Sequence, residues 1–179
     1  MVTPATDDEL MARVSAGDQR AFAELYERHR RAVFTFLLHL TGARPSAEDL
    51  LQEAFLRVWR ARAHYRASGE FRAWIFTIGR HLTVDLFRRQ GLTWEDDPAE
   101  LDSVASRDAP DRSAEARDDL ARLRRALAEL PPAQREVIVL ARLAGLNAGE
   151  VAQVTGSTPG AVRVQLHRAL QKLRALLGP

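Results

Sequence analysis

Apolar residues recur along this chain at three- and four-residue steps, and no run of β-branched residues alternates as a half-buried strand would. The pattern predicts a short helix from about Asp7 to Ala16, closed by Gly17. A long helix follows from Asp18, a residue type suited to the N-cap, to Thr41, and Gly42 ends it. Its stripe runs through Phe22, Leu25, Tyr26, His29, Val33, Phe36, Leu37 and Leu40. Pro45 and Ser46 restart the chain, with Asp49 three residues after Ser46 in a capping-box-like arrangement, so a third helix is predicted over about Ala47–Ala63. A fourth covers about Glu70–Arg89, with Phe71, Trp74, Ile75, Ile78, Leu82 and Leu86 on one face.

The period is then lost. From Gly91 the chain reads GLTWEDDPAELDSVASRDAPDRSAEARDD, acidic, with two prolines and no repeat, which is the composition of a linker. Helical spacing returns near Ala114, with Leu120, Leu123, Leu127 and Leu130 before Pro131-Pro132, and again over Ala133–Ala144. Next comes a short helix capped by Asn147, a break at Thr155-Gly156-Ser157, and a last helix with Val162, Leu166, Ala169, Leu170 and Leu173 inward. The expected fold class is all-α: two small helical domains, 1–90 and 114–179, joined by a flexible linker, 91–113.

Charge sharpens this division. The net charge of +2 is the sum of +3 over residues 1–90, −7 over 91–120 and +6 over 121–179. A basic C-terminal unit suits a polyanion partner. The absence of cysteine excludes disulfides, thiolate zinc sites and thiol switches, and the five histidines lack HExxH-type metal spacing. There is no Walker loop and no GxGxxG, so neither catalysis nor a cofactor or metal is expected. Without an eighteen-residue apolar run or a signal-like N-terminus, a cytoplasmic protein with no membrane insertion is expected.

Three features bear on function. The last two helices form a helix-turn-helix whose second helix is basic on its outer face, the pattern of a duplex-reading element, though also of an ordinary helical hairpin. On the third helix Asp49, Gln52, Glu53 and Leu56 share one side, either a solvated face or a docking face for a basic partner helix. Tyr65 and Arg66 precede the fourth helix, where Arg72, Arg80, His81, Arg88 and Arg89 lie off the apolar face. Aromatics beside arginines stack bases of a single strand and hold its phosphates, whereas Phe71 and Trp74 read better as core.

The ordered segments DLLQEAFLRVW, FRAWIFTIGRHLTVDLFRR and LPPAQREVIVLARLAGLNAGEVAQVTGSTPGAVRVQLHRAL resemble an extracytoplasmic-function (ECF) sigma factor of bacterial RNA polymerase, sigma-70 family, over nearly the whole chain. The resemblance implies a transcription initiation factor, not an enzyme, that directs core polymerase to promoters and melts the minus-ten region. Residues 1–90 would be sigma region two and 114–179 sigma region four. Asp49, Gln52 and Glu53 would dock on the clamp helices of the beta-prime subunit. Tyr65, Arg66, Arg80, His81, Arg88 and Arg89 would read and open the minus-ten element. Ser157, Thr158, Arg163, Val164, His167 and Arg168 would serve the minus-thirty-five duplex. The implied partners are core RNA polymerase, including its beta flap, promoter DNA and an anti-sigma factor. The protein would then associate with the nucleoid through polymerase, and the linker would thread toward the active-site and RNA-exit path.

Three departures from the family pattern stand out. His81 replaces an asparagine common in an IARN-like stretch. Val164 and Gln165 replace a Ser-Arg pair, and NAGE replaces the commoner SYEE. The rival reading, a stand-alone helix-turn-helix regulator, requires tight duplex binding without polymerase.

Overall fold

The computed structural model describes residues 4–66, 70–92 and 114–178, and these contain helices and no strand. The N-terminal unit holds α1 (Asp7–Ser15), α2 (Gln19–Thr41), α3 (Arg44–Ala61), a 3₁₀ turn over Arg62–His64, and α4 (Phe71–Arg89). The C-terminal unit holds α5 (Ala114–Ala128), α6 (Pro132–Ile138), a π turn over Val139–Leu143, α7 (Ala148–Thr155) and α8 (Pro159–Leu177). From residue 93 to 113 the expected linker lies outside the described residues.

Local chemistry sets most boundaries. Thr6 and Glu9 form a reciprocal capping box at the start of α1, and Asp18 accepts the amides of Arg20 and Ala21 at the start of α2. Gly42, at φ 65°, supplies the left-handed residue that stops α2. The start of α3 differs from expectation. The helix begins at Arg44 behind Ala43, which makes no side-chain cap, and Ser46 already lies inside it. Pro45 falls in the first turn, where its missing N–H would have had no intrahelical partner, so it initiates rather than precedes the helix.

Helices α2, α3 and α4 pack together, with α1 laid across α2. Phe36 of α2 meets Phe76 of α4 edge to face at 5.3 Å between ring centres. The buried surface of α4 is broader than the single predicted stripe. Ala73, Phe76, Gly79 and Thr83 are buried as well, while Trp74, Ile78 and Leu86 are only half-buried. The reason is that α4 is covered twice: α2 and α3 take one side, and α7 of the C-terminal unit takes another. One apolar cluster therefore runs through both units, from Leu10 and Phe36 to Val139, Leu140 and Val151. The π turn, where Ala144 N–H reaches back to Val139 C=O, lies against α2.

A second cluster, built from Leu127, Leu130, Ile138, Ala169 and Leu173, closes the far end of the C-terminal unit. Arg135 anchors it. This arginine is buried, and its guanidinium donates to the carbonyls of Leu127, Ala128 and Leu130 at 2.7–3.2 Å. It thus serves the Leu127 and Ala128 carbonyls of the last turn of α5, the first shared with the Leu130 amide, and the Leu130 carbonyl just beyond the helix.

Candidate nucleic-acid interface

The outer face of α3 presents Asp49 and Gln52 to solvent, Glu53 half-exposed, and Leu56 at 46% exposure. The inner face buries Leu50, Leu51, Ala54, Phe55 and Val58, which fixes the helix's rotation. Glu53 accepts Arg57 Nε at 3.2 Å, with Arg60 at 3.6 Å. Both arginines are exposed enough for these pairs to exchange readily with a partner's cation.

Beyond α3 the turn and α4 frame an open hollow of about 360 Å³, lined by Ala61, His64, Tyr65, Arg66, Glu70 and Trp74. Tyr65 is braced rather than free. Its hydroxyl donates to Asp8 Oδ1 at 2.7 Å, and its ring lies 5.0 Å from that of Trp74. Burial and then the Asp8 carboxylate push the phenol's pKa well above its usual value, so it stays protonated. Ser15 Oγ donates to Arg62 C=O at 2.6 Å, so α1 buttresses this turn twice. Phe71 is core, as expected, but Trp74 forms a wall of the hollow. The sequence reading missed His64, Glu70 and the open flank of Trp74. A tryptophan at the edge of an apolar stripe, close in sequence to Tyr65 and Arg66, is the signal that points to the last.

Along α4, His81 and Arg88 follow Trp74 at seven and fourteen residues, two and four helical turns on, so they share its outer face. Both are exposed, as are Arg66 and Arg89. Arg80 and Arg72 are turned elsewhere. Arg80 Nε donates to Glu136 Oε1 at 2.7 Å, and Glu136 is only 3% exposed. Burial raises the pKa of that carboxyl, against the opposing pull of Arg80. Arg72 donates to the carbonyls of Ala144 and Gly145, at 3.1 and 2.6 Å, and approaches Glu150. Gln153 donates to Glu70 at 2.6 Å. The structure thus groups Tyr65, Arg66, His81 and Arg88 on one side and commits Arg80 to the contact between units.

In the C-terminal unit α7 opens on an Asn147–Glu150 capping box and ends at Gly156, whose φ of 67° makes the turn. Thr158 then caps α8 by accepting the Ala161 amide at 3.2 Å, and Pro159 takes the first helical position. Ser157 is partly buried in the turn, its amide donating to Ala152 C=O. Arg163, Val164, His167 and Arg168 all point to solvent from the first half of α8. Among the described residues no helix is long and apolar enough to cross a membrane, and no group of three His, Cys, Asp or Glu side chains could hold a metal.

Residues 25–93 match the family described as Sigma-70 region 2, and residues 120–173 match Sigma-70, region 4. The RNA polymerase sigma factor CarQ of Myxococcus xanthus is 37% identical over 174 residues, 94% of this chain and 95% of that one. The ECF RNA polymerase sigma factor BldN of Streptomyces coelicolor is 34% identical over 94% of this chain and 65% of its own. Among solved structures, the sigma factor RpoE in complex with the anti-sigma factor NepR from Bartonella quintana superposes with a TM-score of 0.72 at 28% identity. That match covers 87% of this chain and 96% of that one.

Proposed function

Because the chain belongs to the extracytoplasmic-function branch of the sigma-70 family, we propose that it binds core RNA polymerase, carries it to particular promoters and helps to open them. Sigma factors are regulatory proteins, and the chemistry of RNA synthesis stays with the polymerase. The observation that carries the reading is the division of labour over three exposed faces. The acidic and apolar face of α3, with Asp49, Gln52, Glu53 and Leu56, is suited to a helix with basic and apolar residues. The hollow beside Trp74 leads into His81 and Arg88, an aromatic-to-cationic track that suits a melted strand. The cationic face of α8 suits the major groove.

Two weak DNA contacts held on one polymerase act together through effective concentration, so neither needs to be strong alone. In the packed arrangement Arg80 is held by Glu136, and its use on DNA requires the units to part. An inhibitor that favours the packed units would keep the factor silent, and the likeness to a sigma factor bound by an anti-sigma factor supports such a partner here.

Run-off transcription on genomic fragments, with core polymerase and with the chain added, tests the reading. Discrete transcripts that need both components are expected. Tight duplex binding by the chain alone, with no effect on polymerase, would replace it with a stand-alone regulator.

A further inference from the structure

One apolar side chain occupies the outermost position of α8. Val162, Ala169 and Leu173 are buried and define the inward direction. At 3.6 residues per turn Val164 lies about 180° from them, and it is 51% exposed. A β-branched residue on open helix surface serves neither helix propensity nor burial. One turn before it stands Gly160, also exposed, and one turn after it stand His167 and Arg168.

Gly160 is the sharper clue. Its φ is not in the left-handed region, unlike that of Gly156 at 67°, so the backbone does not demand glycine there. A Cβ at this position would meet only Thr158 Oγ1, at 4.0 Å, so packing does not demand it either. Glycine lowers helix stability relative to alanine. The room it leaves opens outward, away from the protein, where a ligand surface must approach closely to use it.

We propose that Val164 packs on the 5-methyl group of a thymine in the major groove of the upstream promoter element, and that Gly160 lets the helix settle deep enough for that contact. Of the four bases only thymine shows an apolar group in that groove, and valine has no donor or acceptor with which to read another edge. Arg163, His167 and Arg168 flank the patch with cations for phosphates or guanine. This rests on α8 being the duplex-reading helix, and it adds to that reading the identity of one base.

The test uses the full chain with core polymerase, on a promoter selected by that holoenzyme from a library randomised in the upstream element. Each thymine of the element is replaced in turn by deoxyuridine, which lacks only the methyl group. At one position transcription should fall about fourfold, the factor expected for one buried methyl. Val164→Ala should lower transcription from the thymine template by a similar factor and be indifferent to deoxyuridine at that position. The substitution is at an exposed, helix-favouring site, so folding is not at stake. Gly160→Ala should raise the melting temperature yet lower transcription. Deoxyuridine tolerated at every upstream position, or a penalty undiminished in Val164→Ala, overturns the thymine contact. Full transcription by Gly160→Ala overturns the close approach. If no promoter is selected, the sigma-factor reading itself fails and takes this inference with it.

Discussion

Arg135 shows how far a single residue's role depends on what the fold brings to it. Arginines are usually exposed, yet this one is buried and donates to two carbonyls of the last turn of α5 and to Leu130 C=O just past it. Arg135→Met keeps the apolar bulk and removes the donors, leaving the Ala128 and Leu130 carbonyls without that partner while Leu127 C=O keeps only the Leu130 amide. The expected loss is about 3 kcal/mol of stability, read as a lower denaturant midpoint with an unchanged slope. Tyr65 is a second case. As a member of the Tyr65–Arg66 pair it suggests a base-stacking side chain, but its hydroxyl is engaged by Asp8, fifty-seven residues away in sequence. Tyr65→Phe loses that bond and keeps the ring at the hollow. It should cost about 1 kcal/mol of stability and leave transcription nearly intact, whereas Trp74→Ala should leave polymerase binding intact and reduce transcription.

At the scale of elements, helix number, order and most ends were legible in the sequence, because they rest on local signals. Asp18 and Asn147 cap, Gly42 and Gly156 stop, and the leucine and phenylalanine spacing marks each inner face. The start of α3 is not marked locally: Ser46 has the side chain of a cap but lies inside the helix, and Pro45 is accommodated within the first turn. The buried surface of α4 exceeds its stripe because a periodicity shows that a face is buried and not how many neighbours bury it. The same limit hid the split among the α4 arginines. Nothing local to Arg80 points to Glu136, which lies fifty-six residues on. The α3 face, by contrast, was readable as a unit, since Asp49, Gln52 and Glu53 are neighbours by helix geometry alone. Glu53→Lys reverses a charge at an exposed spot on that face. It should weaken affinity for core polymerase at least tenfold and make the remaining binding less salt-dependent, with circular dichroism unchanged. Unaltered affinity in a folded variant would remove α3 as the docking face.

The whole molecule adds a property that neither unit has by itself. The two units share a core, and the junction holds two groups, His39 and Glu136, whose pKa values burial shifts. His39 of α2 is buried, its Nδ1 has no hydrogen-bond partner, and Arg124 and Arg135 of the C-terminal unit repel its charge. Burial first, and those cations second, hold its pKa near 4 rather than at the ordinary 6.5. The unfolded chain therefore takes up this proton before the folded one does. Stability from His39 is complete above pH 6.5 and drains away as pH falls toward 4, by about 3 kcal/mol in all. Glu136 acts oppositely, since its raised pKa favours the folded state as pH falls. Comparing melting temperatures of the wild type and His39→Leu across pH 4 to 7 isolates the histidine. The variant should lack the part of the acid-side decline that His39 causes.

The junction also holds Arg80, which donates to Glu136. Arg80→Ala strips the buried Glu136 carboxyl of its partner and should weaken the packing of the units by about 3 kcal/mol. The chain has no cysteine, so one cysteine introduced in each unit, at the exposed Arg30 and Gln171, takes a dye pair cleanly. Energy transfer between the dyes should drop in the Arg80 variant.

If this chain and core polymerase open promoter DNA together, thymines near the start site of a promoter found by run-off transcription react with permanganate only when both are present. On duplex DNA neither component alone should expose thymines, and the pair should. His81→Ala should bind polymerase normally, lose much of this reactivity on duplex DNA and regain transcription on a premelted bubble. Opening by polymerase without the chain, or no opening by the two combined, would exclude a role for the chain in melting.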